Sequence, residues 1–103
     1  MTRVRESAVE AHLVARIRLI GGECLKNDPQ SRIGIPDRLV ILPGGEVIWV
    51  EVKAAGGVLS PVQERVHARL RELTQEVRVV WSKSQINRLF PIEETEPEDE
   101  AGC

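Results

Sequence analysis

The stretch from Gly34 to Lys53 constrains the fold more than any other part of this 103-residue chain. It reads Gly34-Ile35-Pro36-Asp37-Arg38-Leu39-Val40-Ile41-Leu42, then Pro43-Gly44-Gly45, then Glu46-Val47-Ile48-Trp49-Val50-Glu51-Val52-Lys53. Two aliphatic, β-branched runs around Pro-Gly-Gly are the mark of an antiparallel hairpin. Proline brings a preset φ to the turn, and the glycines can supply a positive φ. With a loop of Pro43 to Gly45, Leu42 faces Glu46, facing residue numbers sum to 88, and Asp37 lies across from Glu51. Facing Cβ atoms stand roughly 4.5–5.5 Å apart. Strand alternation puts Glu51 and Lys53 on one face. A five-residue loop keeps this register. A two-residue Gly44-Gly45 turn pairs Asp37 with Val52 and sends the two acids to opposite faces. The odd-length loop suits the turn residues and brings Asp37, Glu51 and Lys53 onto one patch. Two facing carboxylates repel unless something positive lies between them, and a divalent cation meets that need.

Size and charge narrow the class. A chain of this length supports one domain with a modest core. Hydrophobic residues make up 42% and aromatics only 3%, so stacking of bases on aromatic platforms is not an expected mode of recognition. No apolar run is long enough to span a membrane. The N-terminus lacks the apolar stretch of a signal peptide, which points to an intracellular, cytoplasmic protein. Cys24 and Cys103 do not form a disulfide framework. Cys24 reads as a small buried hydrophobe and Cys103 as a free terminal thiol. The net charge of −2 hides an asymmetry. Glu93 to Glu100 hold six acidic residues, leaving 14 basic against 10 acidic over residues 1–92. A moderately basic body is compatible with a phosphate-rich partner. Residues 1–91 read as one domain, and residues 92–103 read as a disordered acidic tail.

Periodicity places the remaining elements. Val9, Leu13, Ile17 and Ile20 give residues 5 to 20 the stripe of an amphipathic helix, stopped by Gly21-Gly22. Residues 23–26 form a short strand, and Asn27 to Arg32 a loop. Ala54-Ala55-Gly56-Gly57 links the hairpin to Ser60-Pro61-Val62-Gln63, a capping box with proline at its first helical position. Val62, Val66, Leu70 and Leu73 are the expected core stripe of the helix that follows. Val77 to Trp81 is a buried strand. Ser82 or Ser84 caps a last helix with Ile86, Leu89 and Phe90, ended by Pro91. This order predicts an α/β layer fold with helices covering a small mixed sheet.

Gly34-Ile35-Pro36-Asp37-Arg38-Leu39, Glu51-Val52-Lys53 and Leu59-Ser60-Pro61-Val62-Gln63 resemble the motifs of the virus-type replication-repair nuclease domain, VRR-NUC. Ser7-Ala8-Val9-Glu10 and Gly21-Gly22 with Lys26 resemble that family's N-terminal pattern. The likeness spans about residues 5 to 82, and the ordered combination carries it rather than any one motif. It implies the restriction-endonuclease-like αβββαβ core of the PD-(D/E)XK superfamily. It also implies Asp37 and Glu51 as metal-binding carboxylates, with the backbone carbonyl of Val52 as a further ligand. Glu10 is implied as the helix glutamate completing the site, with Glu6 as a second candidate. Lys53 is implied as the catalytic lysine and Gln63 as the helix glutamine near the metal. The implied activity is hydrolysis of DNA phosphodiesters with Mg²⁺ or Mn²⁺. Compact relatives are similar in size and act as homodimers on branched DNA, notably four-way junctions.

Each residue also has a plainer reading. Asp37 can start a strand, and Glu51 with Lys53 can form a solvated strand face. Glu10 can be a surface helix residue, and Gln63 is explained by the capping box alone. His12 and His67 lack partners at ligand spacing and read as structural or solvated. Trp49 shares the face of Glu51 and reads as packing. Lys26, Arg32, Arg38, Arg65 and Arg69 are candidate DNA-backbone contacts or ordinary surface charge. The competing functional readings are a flap, single-strand or nicking nuclease on the same fold, and a DNA-binding module without catalysis.

Overall fold

A computed structural model describes residues 4–28, 30 and 32–92. The acidic stretch 93–103, including Cys103, lies outside the described residues. Helix α1 spans Glu6–Leu19, and its residues Val9, Leu13 and Ile17 are fully buried at helical spacing. Gly21 ends it with φ +90°, and the Gly22 N–H closes onto the Ile17 carbonyl at 2.9 Å. A Cβ on Gly22 would stand 2.6 Å from the Ile41 carbonyl oxygen, so only glycine lets the chain turn this closely against the sheet.

Strands β1 (Glu23–Lys26), β2 (Arg38–Ile41), β3 (Val47–Val52) and β4 (Glu76–Val80) form one sheet in the order β1-β2-β3-β4. The first three are antiparallel, and β4 runs parallel to β3. A parallel neighbour requires a crossover, supplied by α2 (Pro61–Glu72). Helix α3 (Lys83–Leu89) follows β4, capped by Ser82, whose hydroxyl accepts the Gln85 N–H at 3.1 Å. This is the mixed-sheet α/β architecture that the residue pattern predicts, with α3 added to the αβββαβ core. No helix among the described residues is long and apolar enough to cross a membrane.

The hairpin takes the three-residue loop. Arg38 pairs with Val50 and Ile41 with Val47, the 88-sum register. The Leu42 N–H meets the Glu46 carbonyl at 2.8 Å, and Gly44 and Gly45 hold φ +96° and +97°. One face of the sheet carries Val40, Ile48, Val50, Val52 and Val80 against Val9, Leu13 and Ile17 of α1 and Ile86 and Phe90 around α3. Alternation therefore turns Trp49, Glu51 and Lys53 to the other face, under α2.

Helix α2 departs from the expected packing. Its fully buried residue is His67, whereas Val62, Val66 and Leu70 are half-buried and Leu73 is 50% exposed. The main core lies on the far side of the sheet, so α2 has less apolar surface to meet. Val62 and Val66 instead close on Gly34. A Cβ there would come within 2.7 Å of Val62 and 2.8 Å of Val66, and Gly34 itself holds φ +93°. That contact seats the loop leading to Asp37 against the helix.

Candidate active site

Asp37 sits one residue before β2, in line with the register that places it opposite Glu51. Its carboxylate accepts the Val52 backbone N–H at 2.8 Å. Asn27 braces the approach: its N–H reaches the Asp37 carbonyl at 2.9 Å and its side-chain amide the Pro36 carbonyl at 2.8 Å. The Asp37 carboxylate is thus directed to the end of β3, where Glu51 and Lys53 project.

Glu51 is 2% exposed. Burial pushes its carboxyl up to about 8, and a hydrogen bond with Asp37 and the Asp37 charge push the same way. The Lys53 charge opposes this shift, while that of Glu6 adds to it. Two acids therefore crowd one pocket, and in the absence of a cation near neutral pH the proton retained by Glu51 relieves the repulsion.

Gln63 connects Lys53 to Glu51. The α2 capping box is complete: the Ser60 hydroxyl accepts the Gln63 N–H at 3.1 Å, and Gln63 Oε1 accepts the Ser60 N–H at 2.9 Å. The same Oε1 accepts a hydrogen bond from Lys53 Nζ at 3.0 Å, and Gln63 Nε2 donates to Glu51 Oε2 at 3.2 Å. The helix cap and the site share one side chain, so the two readings of Gln63 are not alternatives.

His67, expected to lack a partner, lies fully buried with Nε2 3.3 Å from Glu51 Oε1. Burial lowers its pKa, and the Arg71 and Lys53 charges lower it further. The ring is neutral, so the contact is a hydrogen bond and not an ion pair. One sequence signal could have found it. Gln63 and His67 are four residues apart on one helix and hence share a face. His12 meets Asn87 at 2.7 Å and ties α1 to α3, a structural role. Trp49 is half-buried and donates to Gln75 at 3.0 Å, in keeping with packing.

The helix glutamates separate. Glu10 forms an ion pair with Arg38 at 2.9 Å, on the α1 side of the sheet. Glu6 is the α1 carboxylate whose charge acts on Glu51. Arg38 also donates to the Cys24 carbonyl at 3.3 Å and is 16% exposed, so it is held inward and not presented to a DNA backbone. Lys26, Arg32, Arg65 and Arg69 are exposed, with Arg69 paired to Glu72 at 3.2 Å.

The donor set suits a hard divalent cation. Asp37 and Glu51 offer carboxylate oxygens within one pocket, where the Asp37 charge acts on Glu51. Among the described residues no group of three or more His, Cys, Asp or Glu side chains gathers into a metal-binding cluster. Mg²⁺ is commonly held by one or two carboxylates with the rest of its coordination left to water and phosphate, which this set matches.

A mixed sheet with an acid before β2 and a Glu-x-Lys at the end of β3 defines a PD-(D/E)XK nuclease-type domain. No family model matches the chain. A solved structure described as a VRR_NUC domain is 34% identical with a TM-score of 0.75, the match covering 84% of this chain and 95% of that one. A protein of Acyrthosiphon pisum secondary endosymbiont phage 1, named "Putative nuclease p44", is 43% identical over 91 residues, 88% of this chain and 97% of the phage protein. The chain belongs to the VRR-NUC family.

Proposed function

We propose that this chain is a metal-dependent endonuclease that hydrolyses DNA phosphodiester bonds at branched structures, acting as a homodimeric resolvase of four-way junctions. The observation that carries the nuclease reading is the convergence of Asp37, Glu51 and Lys53 on one patch, with Gln63 joining Lys53 to Glu51 and the Val52 N–H holding Asp37. Similarity to a phage protein named as a nuclease and to a VRR_NUC domain supports the same class. The choice of junction DNA and of a dimer rests on family resemblance. A two-fold dimer would present two sites to symmetry-related strands.

The chemical problem is a phosphodiester whose negative charge repels nucleophiles. Asp37, Glu51 and the Val52 carbonyl would hold Mg²⁺ or Mn²⁺, which when bound would supply Lewis acidity and lower the pKa of a coordinated water. Asp37 and Glu51 hold the acidic pocket in place, and the Val52 N–H orients the Asp37 carboxylate. Lys53 holds positive charge at Nζ, tethered by Gln63, where it orients the attacking water or offsets charge on the phosphate. The exposed Lys26, Arg32, Arg65 and Arg69 supply sequence-independent attraction to the DNA backbone.

The test is a divalent-ion titration with labelled four-way junction, flap, single strand and linear duplex, run beside native mass measurement of the free protein. Symmetric junction cleavage by a dimer in Mg²⁺ or Mn²⁺ is the expected result. Cutting confined to flaps or single strands overturns the junction assignment. Binding without cleavage in either ion makes the chain a DNA-binding module.

A further inference from the structure

We propose that His67 is a positioning residue, whose Nε2–H holds Glu51 Oε1 and fixes the orientation of that carboxylate for metal binding. Glu51 meets α2 through both of its oxygens. Gln63 Nε2 lies 3.2 Å from Oε2, and His67 Nε2 lies 3.3 Å from Oε1. The two donors stand one helical turn apart, so a single rigid element sets where the carboxylate sits and how it is rotated about its last torsion. A single donor from the helix would restrict that rotation less.

The other ring nitrogen supports the same reading. His67 Nδ1 is buried and has no hydrogen-bond partner among the described residues. Placing the ring proton on Nε2 gives it an acceptor, while the Nδ1 lone pair goes unmet. An unmet buried polar atom costs stability, and an aliphatic side chain of similar size would avoid that cost. A histidine with 0% exposure in the α2–sheet interface is thus a poor choice for packing alone. Its useful contact is the one at Nε2, on a residue of the acidic pair. Hydrogen bonds that orient a ligating group commonly change metal affinity by about 10- to 100-fold when removed.

This inference rests on the metal site proposed above. The test is Mn²⁺ binding to the DNA-free protein, followed by electron paramagnetic resonance, with thermal melting in EDTA on the same samples. His67→Leu fills the space without a donor. His67→Asn is polar, but its amide is too short to reach Glu51. His67→Gln carries its amide nitrogen to the place of Nε2. Mn²⁺ affinity should fall about 10- to 100-fold in the Leu and Asn variants and stay near wild type in the Gln variant. Wild-type affinity in the Leu or Asn variant would overturn the proposal, as would a loss in the Gln variant equal to theirs. If the Leu variant fails to fold, the contrast between Gln and Asn still decides. Absence of Mn²⁺ uptake by the wild type would overturn the metal site itself, and the role of His67 with it.

Discussion

The Asp37 carboxylate accepts the backbone N–H of Val52 at 2.8 Å, so the first acid is held by the residue that follows the second acid. The bond converts a strand register into a site. Asp37→Asn keeps an oxygen for that N–H but loses the charge, whereas Asp37→Ala loses both. Both should lose Mn²⁺ binding and cleavage. Only the Ala variant leaves the N–H unmet, and it should be less stable than Asn by about 1–3 kcal/mol. Urea unfolding in EDTA measures the difference. Equal stability would show that the bond contributes little.

Glu51 gives the metal-free protein a defined response to pH. Its folded carboxyl is raised from 4.5 to about 8, so between those values the folded state holds more protons than the unfolded one. The stability it contributes is complete below pH 4.5 and is lost as pH rises to 8. His67 acts in the opposite sense: its folded pKa is lowered from 6.5, and its contribution is lost as pH falls below that value. From pH 6.5 to 8 the Glu51 contribution changes most, and the remaining gain from His67 is about 0.4 kcal/mol. Melting temperature in EDTA should therefore fall across that interval, by the equivalent of about 1–2 kcal/mol. Glu51→Gln should flatten the profile, and Mn²⁺ should raise the melting temperature more at pH 8 than at pH 6.5. A flat wild-type profile would contradict the assignment.

Lys53 and Gln63 should separate by stability. Lys53→Ala removes the ammonium group and should abolish cleavage while leaving junction affinity largely intact, read by single-turnover assays and by gel shift in Ca²⁺. Gln63→Ala should also abolish cleavage, and it dissolves the capping box, at about 0.5–2 kcal/mol. Ser60→Ala is the control: it weakens the same cap by a similar amount and should keep most of the cleavage. A Ser60 variant as inactive as Gln63→Ala would mean that the helix end alone matters.

The two α1 glutamates are expected to differ. Glu10 is paired with Arg38, while the charge of Glu6 reaches Glu51. Glu6→Gln should therefore weaken Mn²⁺ binding more than Glu10→Gln does. Glu10→Gln should act mainly on stability, through loss of its partner to a half-buried arginine. The reverse ranking in a metal titration would make Glu10 the helix ligand.

Much of this follows from local sequence. Strand alternation and the Pro43-Gly44-Gly45 turn set the 88-sum register, because a one-residue slip would turn every side chain of the hairpin to the wrong face. The spacing of Val9, Leu13 and Ile17 defines α1, and Ser60 to Gln63 define the start of α2. The facing of Asp37 and Glu51, and the place of Lys53 beside them, are consequences of short-range geometry.

What lay beyond the sequence was how α2 sits on the sheet. The apolar stripe of Val62, Val66, Leu70 and Leu73 suggested a core-facing helix. Gly34, however, admits the 32–36 loop against Val62 and Val66, and the main core forms on the opposite side under α1 and α3. That arrangement turns Gln63 and His67 onto Glu51, and it leaves Glu10 and Arg38 paired on the far face. The hairpin and helix starts were legible because they arise from contacts between residues near in sequence. The choice of helix face depends on which distant surfaces compete for it, and only the packed tertiary structure decides that.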